Sequence, residues 1–297
     1  MATGPAPPKS LRPVWLALFV TGLWSSSWVL IKFGLPTIPA LTFAGLRYAG
    51  AALVLLPWVL LSAGRRADLA RWDRRNWGRV ALLGVLYYAV TQGAQFAGLE
   101  LLPAAAVSLM LNFTPILVAL LSAGGRTERP TGRQWWGIAV NLAGVALYFL
   151  PVRLTAGQWL GLGIMAVGTL ANALSSVLGR QINREAGGDA LTITAVSMTM
   201  GAALLLLTGV AVQGGVVLGI REWGIVAWLA LVNTAVAFTL WNHTLRSLTA
   251  TESSLINSTM LPQIAVLAWV FLGEEIRGKE GLGLALAVLG VVLVQRR

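Results

Sequence analysis

The chain has 297 residues, of which 57% are hydrophobic and only 11% charged, with a mean hydropathy of +0.74. A soluble domain covers itself with about a quarter charged residues, so this composition excludes a water-soluble globular protein and implies an integral membrane one. The net charge of +11 would suggest nucleic acid in a soluble chain; in lipid it reports topology and headgroup contact, and no nucleic-acid partner is expected.

A spanning helix needs about 20 apolar residues. Stretches of about that length run at 14–34, 40–62, 78–99, 104–123, 135–152, 157–180, 190–212, 223–245, 253–272 and 280–295. They predict an all-α integral membrane fold of ten helices, because no segment alternates in the manner of a barrel strand. The first stretch follows Lys9 and Arg12 and could be mistaken for a signal peptide. It is long enough to span and shows no convincing cleavage site, so it is read as a retained helix.

Lys and Arg concentrate in alternate connections: Lys9 and Arg12, the cluster from Arg65 to Arg79, Arg126 to Arg133, Arg180 and Arg184, Arg246, and Arg296 with Arg297. The opposite connections carry only Lys32, Arg153, Arg221, Arg277 and Lys279. By the positive-inside rule, both termini are expected in the cytoplasm. The chain has no cysteine and a single histidine, so disulfides, thiolate chemistry and metal sites are not expected.

The two halves repeat at an offset of about 146 residues. Glu128, Gly132, Arg133, Gly137, Ala139, Gly144, Val145 and Leu147 match Glu274, Gly278, Lys279, Gly283, Ala285, Gly290, Val291 and Leu293. Upstream, Gly22 pairs with Gly168, Ser108 with Ser254 and Leu109 with Leu255. The predicted units are residues 1–152 and 153–297. Five helices is an odd number, so the second unit must enter the membrane from the opposite face. The charges agree: Arg126, Arg129 and Arg133 outweigh Glu128 in one loop, whereas Glu274, Glu275 and Glu280 outweigh Arg277 and Lys279 in its counterpart. Inverted repeats place a transporter's substrate site near the bilayer midplane, where the copies meet.

Several stretches resemble a known family: TGLWSSSW with Trp24, Phe43 to Tyr48 with Arg47 after Pro39, Ser108 to Pro115, and the last helices Gly137 to Gly144 and Gly283 to Gly290. The chain resembles the drug/metabolite transporter superfamily in its ten-helix form of two EamA-type units, and is most similar to its bacterial amino-acid exporters. The resemblance implies a multi-pass protein of the bacterial inner membrane, with a central cavity between the two units. A membrane enzyme is not expected, since serine hydrolysis needs a serine–base pair and the chain has a single histidine and no rhomboid-like GxSG run.

All eleven acidic residues fall in loops or near predicted helix ends: Asp68, Asp73, Glu100, Glu128, Glu185, Asp189, Glu222, Glu252, Glu274, Glu275 and Glu280. An intramembrane acid usually marks a proton or cation path, so proton antiport through a buried glutamate is not expected. Uncharged polar groups fall on helical faces instead. Tyr88, Gln92 and Gln95 form one stripe, with Thr234, Phe238 and Trp241 as repeat partners. Ser108, Asn112 and Pro115 form another, answered by Ser254, Asn257 and Ser258. Gly22 and Ser26 match Gly168 and Asn172, with Ser176 one turn on. These residues, with Trp24 and Trp28, are read as lining a cavity; the competing reading is that they join helices by hydrogen bonds.

Four further residues are candidates for coupling or gating. Arg47 either reaches an interface or carbonyl with its long stem or holds a substrate carboxylate. His243 is either a helix-end residue or a proton carrier. Pro115 and Pro262 each kink a helix, as fixed bends or as hinges. The expected activity is facilitative export of neutral or aromatic amino acids and related small metabolites by alternating access, without cofactor; a proton-coupled drug or metabolite exporter is the alternative. Trp72, Trp77, Trp135, Trp136, Trp159 and Trp223 are expected in the interfacial belts.

Overall fold

The computed structural model describes residues 12–123, 131–150, 154–185, 189–244, 247–248 and 256–295. Their regular structure is helical, with no strand among them. The elements are α1 (Arg12–Gly34), α2 (Ala40–Leu60), α3 (Ala63–Ala70), α4 (Arg74–Leu101), α5 (Ala104–Leu111), α6 (Thr114–Ala123), α7 (Gly132–Phe149), α8 (Ala156–Glu185) and α9 (Ala190–Gln213). Then come α10, running through Ile220–Ala230, Leu231–Val236 and Ala237–Thr244, α11 (Met260–Leu272) and α12 (Gly278–Gln295). Six helices among the described residues are long and apolar enough to cross a membrane: α1, α2, α4, α8, α9 and α10. Shorter apolar helices cover Ala104–Val118 and Ile256–Leu272.

Two of the expected spans are broken. Between α5 and α6 the chain turns at Asn112 and Phe113, where Asn112 N–H donates to both Ser108 O (3.0 Å) and Leu109 O (3.2 Å) and Phe113 N–H to Met110 O (3.1 Å). A turn at Thr259 separates residues 256–258 from α11 in the same way. Pro115 and Pro262 lie in the first turn of the following helix, where a missing N–H leaves no carbonyl unserved. The prolines therefore start new half-helices; they do not bend continuous ones.

Wide π-type turns occupy Gly84–Thr91 in α4 and Leu231–Val236 in α10, at positions about 146 residues apart. Such turns are rare and gather at functional sites. In each, a threonine hydroxyl takes a carbonyl five residues back: Thr91 Oγ1 to Leu86 O and Thr234 Oγ1 to Leu229 O, both 2.8 Å. Gly84 itself lies against the Ser197 carbonyl and Gly201 of α9, too close for any side chain.

Glycine also sets the tightest contacts elsewhere. Helices α7 and α12 run antiparallel, Gly137 opposite Gly290 and Gly144 opposite Gly283; a Cβ on Gly144 would meet Ala287 N and Gly283 O at 2.6 Å. Asn141 Nδ2 donates to Ala287 O across this seam at 2.9 Å. On the other flank, Gly45 of α2 meets Leu206 of α9 and Gly209 meets Thr42, again antiparallel. Small residues let helices approach where lipid supplies no hydrophobic drive for association. The neighbour pattern follows the offset: α1 packs on α10 and α11, while α8 packs on α4, α5 and α6.

Trp72 is a correction to the expected belt. It is 9% exposed, packed with Val80, Ile182, Ile193 and Val196, and its ring lies 5.3 Å from Trp77. The short helix α3, with no buried residue, precedes it and was not expected from a polar, basic stretch. Trp77, Trp135, Trp136, Trp159 and Trp223 are all at least 39% exposed.

A Gly144→Ala protein should lose about 5 °C or more of apparent melting temperature in detergent, since backbone on the facing helix must retreat. Gly163→Ala, where a Cβ meets nothing within 4 Å, should leave it unchanged; equal melting of the two variants would contradict the seam.

Candidate substrate cavity

A cavity of about 390 Å³ lies between the two halves of the chain. Helix α1 contributes Trp24, Ser27 and Trp28; α2 contributes Arg47 and Tyr48; α4 contributes Tyr87, Thr91, Gln92 and Gln95. The broken helices bring Ser108, Asn112, Thr114 and Pro115 from one half and Asn257, Ser258 and Met260 from the other. Asn172 and Ser176 come from α8, Phe238 from α10, and Leu261, Ile264 and Val291 complete the apolar wall. Discontinuous helices are where transporters expose backbone and polar side chains at membrane depth, because the cavity satisfies what lipid cannot.

One end of the cavity is closed by packing. Ile31, Phe43, Phe96, Leu99, Leu102 and Ala104 are each no more than 2% exposed, with Phe43 and Phe96 edge to face at 5.2 Å. Polar contacts brace this plug. Lys32 Nζ donates to Leu102 O at 2.7 Å. Glu274, from the far end of the sequence, accepts from Ala104 N–H at 2.7 Å and Ala105 N–H at 3.3 Å, capping the start of α5. At the opposite end the lining residues Ser176 and Asn257 are exposed.

The wall has two chemical faces. Around Arg47 it is polar. Arg47 is 4% exposed; its Nε donates to Thr234 Oγ1 at 3.0 Å, and its guanidinium carbon lies 5.2 Å from the Tyr48 ring centre. Tyr48 OH donates to Gln92 Oε1 at 2.7 Å, which leaves the Gln92 amide N–H groups for the cavity. Across the space, Asn172 Nδ2 donates to Thr114 Oγ1 at 3.0 Å, and Ser176 OH to Asn172 O at 2.8 Å. The second face is aromatic: Trp24 packs on Phe238 at 5.3 Å and on Trp241 at 5.2 Å, tilted in both cases. No Asp or Glu lines the cavity among the described residues, and no group of acidic or histidine side chains there could hold a metal.

Of the residues singled out from sequence, Trp24, Arg47, Gln92, Asn112, Pro115, Asn172, Ser176, Asn257 and Ser258 converge on this space. Four others stand behind the wall. Ser26 donates to Leu23 O at 2.7 Å and accepts from Asn233; Tyr88 is buried against Tyr48 and Tyr87; Thr234 holds Arg47 and Trp241 backs Trp24. His243 is exposed at the end of α10 and Pro262 is exposed on α11, neither on the wall. Ser254 lies outside the described residues.

Sequence reasoning missed Ser27, Tyr87 and Thr91 on the wall. It also missed the ties between α1 and the second half. Gln263 accepts from Ser25 OH at 2.9 Å and donates to Thr21 Oγ1 at 3.2 Å, while Asn233 Nδ2 donates to Leu23 O.

The sequence pattern of the EamA-like transporter family matches residues 11–150 and, a second time, 159–296. The chain belongs to the EamA-like transporter family. It is similar to an uncharacterized inner membrane transporter, YedA, of Escherichia coli K12, with 28% identity covering 96% of this chain and 92% of that protein. It is also similar to a probable terminal-alkyne amino-acid exporter of Streptantibioticus cattleyicolor, with 26% identity covering 97% and 95%. A solved crystal structure superposes with a TM-score of 0.69 at 21% identity, covering 96% of this chain and 99% of that one, which shows the shared fold. The protein is therefore a membrane transporter, and the cavity is its candidate substrate site.

Because the chain has no cysteine, single thiols report access without a background. Ser176→Cys and Asn257→Cys should react with a charged, water-soluble thiol reagent at least about tenfold faster than Phe96→Cys or Leu99→Cys. Equal rates would mean that the plug is not sealed.

Proposed function

We propose that the protein exports neutral and aromatic amino acids and related small metabolites by alternating access, as a facilitative uniporter. In this reading ten helices span the bacterial inner membrane with both termini in the cytoplasm. Residues 1–152 and 153–297 form two inverted repeats. The observation that carries it is the cavity itself: enclosed between the halves, plugged at one end, aromatic on one face, amide- and hydroxyl-rich on the other, and without a carboxylate among the described residues.

Several features support the inversion. Each antiparallel seam, α7–α12 and α2–α9, joins helices that correspond under the offset, and the paired π turns and helix breaks lie about 146 residues apart. With the basic loops cytoplasmic, the exposed Ser176 and Asn257 face inward and the Lys32–Glu274 plug faces outward. The cavity as seen then receives substrate from the cell. Release needs the plug to part, breaking the Lys32 and Glu274 contacts while the opposite end closes. Trp24, Gln92, Asn112, Asn172, Ser176, Asn257 and Ser258 would touch the substrate; Ser26, Tyr88, Thr234 and Trp241 would hold the wall in shape. The probable terminal-alkyne amino-acid exporter among the relatives favours amino acids over other metabolites.

Uniport follows from what the cavity lacks. A coupled proton needs a titrating group that meets the substrate or the gate. His243, the candidate carrier, stands exposed and off the wall. Full-length protein in liposomes should give saturable flux of labelled phenylalanine that an imposed pH gradient does not alter. Flux that follows the gradient would replace uniport with proton coupling, and no flux of any amino acid would remove the substrate reading.

Pro115 and Pro262 lie in the first turns of half-helices that begin at the cavity, where Thr114 and Met260 line it, and are read as hinges. Replacing both with alanine should slow maximal flux several-fold, by about 1 kcal/mol of barrier, with little change in substrate affinity. Unchanged turnover would leave them as fixed helix starts.

A further inference from the structure

Arg47 is the only charged side chain on the cavity wall among the described residues. It is also nearly buried, and its one protein hydrogen bond there runs from Nε to a neutral hydroxyl, Thr234 Oγ1. Neither Tyr48 nor Gln92 neutralises it. A guanidinium held in this way keeps its terminal N–H groups for a ligand, in the planar arrangement that matches a carboxylate. An ammonium in the same space finds no carboxylate to pair with and is repelled by the arginine; at short range that repulsion offsets what aromatic faces offer a cation.

The apolar face lies on the same wall as this charge. Phe238 follows Thr234, the residue that anchors Arg47, by about one helical turn, and Trp24 packs tilted against Phe238. A molecule with a carboxylate at Arg47 and an apolar group one turn away, against Trp24, Trp28 and Phe238, satisfies both faces at once.

We propose that the cavity recognises a carboxylate and an apolar tail and takes no part of its affinity from the α-amino group, so that its substrates are short apolar organic carboxylates, with amino acids as one subset and their deaminated counterparts as another. This rests on the reading of the cavity as the substrate site. It deepens that reading by stating which end of an amino acid is read.

The test uses purified full-length protein with three probes of one shape: phenylalanine, 3-phenylpropionate, which lacks the amine, and phenethylamine, which lacks the carboxylate. Thermal stabilisation in detergent measures binding, and inhibition of labelled phenylalanine flux in liposomes measures transport competition. The expected result is that 3-phenylpropionate stabilises and inhibits within about threefold of phenylalanine, while phenethylamine is weaker by about tenfold or more. Arg47→Gln should weaken both acids by about tenfold to a hundredfold, the loss expected for a charge-assisted hydrogen bond; Arg47→Lys should restore part of it. Should Arg47→Gln not fold, the ranking of the three probes on the unaltered protein decides alone. Phenethylamine competing as well as phenylalanine while 3-phenylpropionate does nothing would overturn the proposal. Phenylalanine flux that 3-phenylpropionate leaves untouched would also overturn it, leaving amino-acid export intact. Binding of 3-phenylpropionate without any phenylalanine flux would uphold the carboxylate rule and remove amino acids as cargo.

Discussion

A polar group inside a bilayer has no water to turn to, so each must be answered by protein or must face a space that water can fill. Most hydroxyls in these helices take the first course. Thr21, Ser27, Ser108, Ser197 and Thr239 each donate to a carbonyl three or four residues back. Arg47 cannot be answered so cheaply, because a guanidinium has five N–H donors and a full charge, and an insertion scale places the cost of such a group at the helix centre at about 2.5–3.5 kcal/mol. Its position makes sense only beside a wet cavity. At the breaks in the two helices opposite, the backbone N–H groups of Asn112, Phe113 and Thr259 are answered by carbonyls three or four residues back, and Asn112 itself borders the cavity.

The plug and the cavity depend on each other. Where Ile31, Phe43, Phe96 and Leu99 interlock, no room is left for water, and the transport path ends. Below them the same helices carry Trp28, Tyr48, Gln92 and Gln95 onto the cavity wall, where Tyr48 OH is answered by Gln92. The boundary between sealed and wet thus follows the sequence along each helix. Moving it means trading packed contacts at one end for packed contacts at the other, which the proposed inverted halves would make at small net cost.

The membrane-protein class and the family could be read from the sequence because each is a long pattern of many residues. Positions within a span could not be read as well, and the failures have physical causes. Ser25, Ser26 and Ser27 are adjacent, so an α-helix must aim them in three directions. Ser25 meets Gln263, Ser26 meets Asn233, and only Ser27 reaches the cavity. Nothing in three identical letters tells them apart. In α4 the stripe Tyr88, Gln92 and Gln95 assumes regular α geometry, but the π turn over Gly84–Thr91 rotates what precedes it. Tyr87 and Thr91 therefore face the cavity and Tyr88 the core. The breaks before Pro115 and Pro262 were legible as prolines, though a kink and a restart look the same in sequence. Trp72 was expected in the interfacial belt, yet it packs among Val80, Ile182, Ile193 and Val196 from three neighbouring helices.

The central claim is that the two ends of one cavity open reciprocally. Spin labels on the cysteine-free background measure this directly, with one pair at Pro36 and Glu275 beside the plug and another at Trp15 and Gln181 at the opposite end, all exposed positions. In lipid, adding saturating phenylalanine should lengthen distances in the first pair's distribution while shortening those in the second. Both pairs moving in the same sense, or neither moving while flux proceeds, would contradict the account.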